Sequence, residues 1–148
     1  AFMRLIAADR SDFVKERATG KDADAVEFKA IVNVLRDCKE GDTDCLIAKL
    51  KGDDPVISGK AAVLLAGMKG VDSKKALAAL FEKYPATDPI SMVDLRRFML
   101  LAIWRLGDAT NVPDVERLLR SDRDRKGAGY WIDELETFIP PLSKKAAR

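Results

Sequence analysis

The chain has 148 residues, 47% of them apolar and 34% charged, with a net charge of +2 and no histidine. This balance is too hydrophobic for a disordered chain, too charged for a membrane one, and of a length suited to a single core. Acids and bases are mixed throughout, so that no third of the chain departs from neutrality by more than two charges, which leaves no electrostatic footprint for nucleic acid.

Helical spacing of apolar residues runs along almost the whole chain, and strand alternation is nearly absent. Between Asp24 and Cys38, residues Ala25, Phe28, Ile31, Val32, Leu35 and Cys38 form one helical stripe. Gly41 suits the left-handed position after that helix, and Asp42 or Thr43 can cap a short helix carrying Leu46, Ile47 and Leu50. Asp54-Pro55 then opens a helix with Ile57, Ala61, Leu64, Leu65 and Met68, expected to end near Gly70. Asp72 or Ser73 is the expected cap of the next, which carries Leu77, Leu80 and Phe81 and stops at Tyr84-Pro85.

Thr87-Asp88-Pro89 repeats the acid-then-proline start. The helix from there to Leu106 has one stripe of Leu95, Phe98, Met99, Ala102 and Leu106 and a second of Leu100, Ile103 and Trp104, so it is expected to be covered on two sides. Thr110 or Asn111 starts a helix with Val115, Leu118 and Leu119. The last helix holds Trp131, Leu135, Phe138 and Ile139 and is expected to end at Pro140-Pro141, making residues 1–142 one helical domain and 143–148 a flexible tail.

The order of these segments repeats. A shift of about 38 residues lays Leu77, Leu80 and Phe81 on Val115, Leu118 and Leu119, and one of about 34 lays Asp54-Pro55 on Asp88-Pro89. The stretch Leu46–Leu119 resembles HEAT repeats: Asp-Pro opening a first helix, a middle rich in Ala or Leu (Ala61-Ala62-Val63-Leu64-Leu65 and Met99-Leu100-Leu101-Ala102), an ending at Leu106-Gly107-Asp108, and a second helix with spaced leucines. Arg96 supplies the basic residue that the family carries in the first helix, with Lys60 as its counterpart in the earlier copy, where Gly70-Val71-Asp72 replaces the terminal Gly-Asp. The resemblance covers roughly half of the chain. It implies an all-α fold, a short right-handed α-solenoid of antiparallel helical hairpins whose second helices, near Lys74–Lys83 and Asp114–Arg120, form the concave face. A non-repeating helical bundle is the alternative architecture.

The missing histidine removes Ser-His-Asp and Cys-His nucleophile systems and imidazole metal sites, and two cysteines alone do not make a structural zinc site. No glycine-rich phosphate loop is present. Asp42 with Asp44, Asp53 with Asp54, and Asp133 with Glu134 and Glu136 are carboxylate clusters with simpler roles as helix caps or solvated faces. The expectation is therefore a non-enzymatic protein-interaction scaffold or adaptor, without cofactor or metal. Its protein partner is of unknown identity, and the chain is expected to join a larger assembly.

Expected partner-binding residues are Lys75, Arg117 and Arg120 on the second helices, with Tyr130 and Trp131 as aromatic anchors in the last helix. Trp104 is expected in the core. The rival function is a nucleic-acid-binding module using Arg96, Arg97, Arg105, Arg117, Arg120, Arg123, Arg125 and Lys126, against which stand the interleaved Asp114, Glu116, Asp122 and Asp124.

Cys38 and Cys45 flank a six-residue turn long enough to bring them together. Either they are two buried thiols filling the core or they form a disulfide, and the disulfide is the favoured reading. A disulfide implies an oxidising compartment, periplasmic or otherwise extracytoplasmic, and free thiols a cytoplasmic one. No apolar run approaches the roughly 18 residues needed to span a bilayer, and Ala1–Ile6 is too short and interrupted for a signal-peptide core.

Overall fold

The computed structural model describes residues 32–34, 36–39 and 41–147, and among these all regular structure is helical. Most of the expected helix Asp24–Cys38, and the segment before it, lies outside the described residues. The described part, 32–34 and 36–37, is helical and buries Val34 and Cys38.

Six longer helices follow: α1 (Thr43–Lys51), α2 (Pro55–Leu65), α3 (Val71–Lys83), α4 (Val93–Leu106), α5 (Val112–Arg123) and α6 (Gly129–Ser143), with 3-10 turns at Tyr84–Ala86 and Ala109–Asn111. Local side-chain caps set the first two starts. Gly41 takes the left-handed conformation at φ 77°, and the Asp42 carboxylate accepts from the Cys45 N–H at 3.1 Å. Asp54 accepts from the Val56 and Ile57 N–H groups with Pro55 in the first turn, where a missing N–H does no harm.

Four boundaries differ from those expected, and the first is the end of α2, which stops at Leu65 and not near Gly70. Helix α3 begins at Val71 behind Gly70, at φ 60°, and neither Asp72 nor Ser73 caps it; the Ser73 hydroxyl donates back to the Gly70 carbonyl at 2.6 Å. Asp88 caps a turn through the Ile90 and Ser91 N–H groups, so the regular helix α4 starts only at Val93. Helix α6 continues through Pro140 and Pro141 to Ser143. Prolines so near the end remove only two ladder donors, and Leu142 beyond them is fully buried, which holds the last turn in place. The segment after it is also tied down, since the Ala109 N–H donates to the Lys145 carbonyl at 3.1 Å and Lys145 Nζ donates to the Trp104 carbonyl at the end of α4.

Neighbours alternate along the chain. Helix α1 packs on α3 and α3 on α5, while α2 packs on α4; of the consecutive helices, α1–α2, α3–α4 and α5–α6 pack together, whereas α2–α3 and α4–α5, the hairpins expected from the repeat, touch little. One continuous core runs from Val34 and Cys38 through Leu50, Leu65, Leu80, Met99 and Leu118 to Trp131 and Leu142. Covering on two sides holds for α4, where Leu95, Met99, Ala102 and Leu106 of one stripe and Leu100 and Ile103 of the other are buried, and it holds also for α2, whose residues from Ser58 to Val63 are all buried. Its small residues permit this: Gly59 lies so close to Phe98 of α4 that an added Cβ would stand 3.0 Å from the ring.

Candidate functional site

Two basic residues that the sequence reading placed at equivalent positions of successive hairpins are both buried, Lys60 and Arg96. Each lies over an aromatic ring of the next even-numbered helix: Lys60 Nζ is 4.5 Å from the Phe98 ring centre in α4, and the Arg96 guanidinium is 5.6 Å from that of Trp131 in α6. The same arrangement thus occurs twice along the chain.

Arg96 is also the centre of a buried polar network. Its guanidinium donates two parallel hydrogen bonds to the Asp122 carboxylate, at 2.9 and 3.2 Å. It donates further to the Thr87 hydroxyl and carbonyl, each at 3.0 Å, and to the Tyr84 hydroxyl at 3.1 Å. Tyr84 stacks against the same guanidinium at 4.4 Å, and burial pushes its hydroxyl well above the ordinary tyrosine range. The Trp131 indole N–H donates to the Pro89 carbonyl at 2.8 Å, and Arg125 reaches the Pro85 carbonyl at 2.9 Å. Every one of these groups is matched by a partner from another element, so the network joins the end of α3, the turn after it, α4, α5 and α6.

Several carboxylates are similarly engaged. Asp42 and Asp54 cap helices, Asp44 pairs with Lys75 at 3.1 Å, Asp108 forms a capping box with Asn111, and Glu136 lies 3.8 Å from Arg123. Hydrogen bonds from the Ser91 backbone and hydroxyl hold the Asp88 carboxyl below its ordinary value, and the Lys49 ammonium does the same for Asp37. Among the described residues no group of three or more Cys, Asp or Glu side chains is arranged to hold a metal ion. A shallow cavity of about 200 Å³ lies between the starts of α2 and α4, lined by Pro55, Val56, Lys60, Met92, Asp94 and Phe98 among others.

The structure divides the expected partner-binding set. Lys75 on α3 and Arg117 and Arg120 on α5 are exposed on two helices that touch each other. Arg117 pairs with Asp114 one turn earlier. Tyr130 and Trp131 belong to α6, and they part company there: Tyr130 is 55% exposed, whereas Trp131 is 1% exposed and set edge-on to Tyr130. Trp131 is thus a core residue, held by its bond to Pro89, and is not available as an anchor. Trp104 reverses the expectation in the other direction, being 46% exposed. The arginine surface considered for nucleic acid loses Arg96 to the core and has Arg125 half-buried against a carbonyl.

Cys38 and Cys45 form a disulfide, with their Cα atoms 5.6 Å apart. No described helix is long and apolar enough to cross a membrane. Comparison of the chain with protein-family models, with curated proteins and with solved structures finds no match.

Proposed function

We propose that this chain is a HEAT-like α-solenoid that acts as a non-enzymatic adaptor, capturing a protein partner on the face formed by α3 and α5. The observation that carries the reading is the twofold recurrence of a buried cation over the aromatic ring of the next even-numbered helix, Lys60 over Phe98 and Arg96 over Trp131. A motif recurring at the hairpin spacing is what stacked repeats require, because each hairpin buries its face only against its neighbours. The alternation of contacts, α1 to α3 to α5 and α2 to α4, supports the same stacking.

The adaptor reading follows from what the polar groups do. Many of the acids are taken up by caps and ion pairs, the buried polar network is internally matched, and the residues left at the surface of α3 and α5 are of the kind that set partner choice. The disulfide supports an oxidising, extracytoplasmic setting.

The test is charge reversal at Lys75, Arg117 and Arg120 together, with the folded state checked by circular dichroism. The variant is expected to keep its helicity and thermal transition and to lose the proteins that the wild-type chain retains on affinity capture from its native compartment. Recovery of the same proteins in the same amounts by both chains would refute the assignment of this face.

A further inference from the structure

The two ends of α4 lie beside the corresponding ends of α6. Arg96, near the start of α4, lies over Trp131 near the start of α6, and Gly107, just past the end of α4, faces Leu142 near the end of α6; each pair is 35 positions apart. Residues of α4 and α6 separated by about that number therefore stand at the same height along the two helices.

Their outward faces differ in chemistry. On α4 the stripe Arg97, Leu101, Trp104 and Arg105 follows the spacing of one helix face, with Leu101 50% and Trp104 46% exposed. An arginine pair around a half-exposed leucine and a half-exposed tryptophan, with Lys145 Nζ 4.9 Å from the centre of the Trp104 ring, has the composition of a binding anchor. On α6, Asp133 and Glu134 are exposed near the start and Pro140 and Pro141 near the end.

We infer that this face is a self-complementary interface between two copies of the chain, related by a two-fold axis parallel to α4 and α6. Such an axis keeps heights unchanged and sets each α4 against the α6 of the other copy. Arg97 then stands opposite Asp133 and Glu134, and Trp104 opposite the flat, apolar Pro140-Pro141 pair. The occupant is a second copy because both halves of the complementarity, basic with tryptophan and acidic with proline, are carried on adjacent helices of one chain in matching register. Closed two-fold pairing is also how such a patch is satisfied without open-ended growth. This surface is distinct from the α3 and α5 face, and the two fail or stand separately.

Sedimentation equilibrium on the full chain tests the interface. The wild-type protein is expected to dimerise with rising concentration, more weakly at high salt. R97E/R105E and D133K/E134K, all at exposed positions, are each expected to weaken self-association by about tenfold or more. Mixing those two variants restores the sign match at both contacts of the two-fold, so the mixture should associate where neither does alone. A chain that stays monomeric at every concentration, a dimer indifferent to both variants, or a mixture that does not recover association would each overturn the proposal. Reversal of Lys75, Arg117 and Arg120 should leave the dimer unchanged.

Discussion

Arg96 offers the sharpest test of how the hairpins are held together. Its guanidinium is fully buried and matches a fully buried carboxylate, Asp122, through two hydrogen bonds of 2.9 and 3.2 Å. Arg96→Met keeps the volume and removes the charge, leaving Asp122 with the Tyr84 hydroxyl at 3.4 Å and Arg125 at 4.0 Å. Neither replaces a bidentate cation, and truncation of one member of a buried pair typically costs about 3 to 5 kcal/mol. Tyr84 and Thr87 also lose donors, although the Thr87 hydroxyl keeps its own bond to the Tyr84 carbonyl at 2.6 Å. Removing both charges in R96M/D122L takes away the stranded carboxylate, so the double variant should be less destabilised than R96M alone, by about 2 kcal/mol or more. Urea unfolding followed by circular dichroism gives the three free energies of the double-mutant cycle, with unchanged m-values confirming that the same cooperative unit unfolds. If the two single losses simply added, or if R96M cost less than about 1 kcal/mol, the network would not be what joins α4 to α5.

Other consequences follow from single features. The Cys38–Cys45 bridge closes a loop seven positions wide, so C38S/C45S should lower the unfolding free energy by roughly 2 to 3 kcal/mol in the chain-entropy model, read by the same urea titration; an unchanged midpoint would contradict this. Gly127 sits at φ 86°, and a Cβ there would stand 2.6 Å from the Ile90 side chain; G127A should therefore lower the thermal midpoint, at a cost of about 1 to 2 kcal/mol from the left-handed backbone alone. Asp88 has a carboxyl pKa below its ordinary 3.8 because the folded chain donates to its charged form. Its contribution is fully present above that value and is lost as pH falls through the lower folded pKa. In D88N this pH-dependent part should vanish, so the wild-type advantage in thermal midpoint should shrink from neutral pH towards pH 2; a difference constant with pH would show that the charge contributes nothing.

What could be read without coordinates was whatever depends on neighbours close in sequence. Asp42, Asp54 and Gly41 act within one turn of their own positions, where a carboxylate meets free N–H groups or a chain needs positive φ, so their roles were legible one by one. The cysteine pairing was legible because only two thiols exist and a turn joins them. Tertiary structure alone decided which large side chains face inward. Trp104 and Trp131 both lie on amphipathic helices, yet the first is half-exposed and the second is sealed in by Arg96 and by the Pro89 carbonyl, 42 positions earlier. Arg96 looks like a surface cation until Asp122, 26 positions away, enters the core beside it. Pro140 and Pro141 likewise end a helix by local rule, but burial of Leu142 carries α6 past them. Burial of a charge or an aromatic is settled by a partner that folding delivers from far along the chain, and spacing within one helix carries no record of that partner.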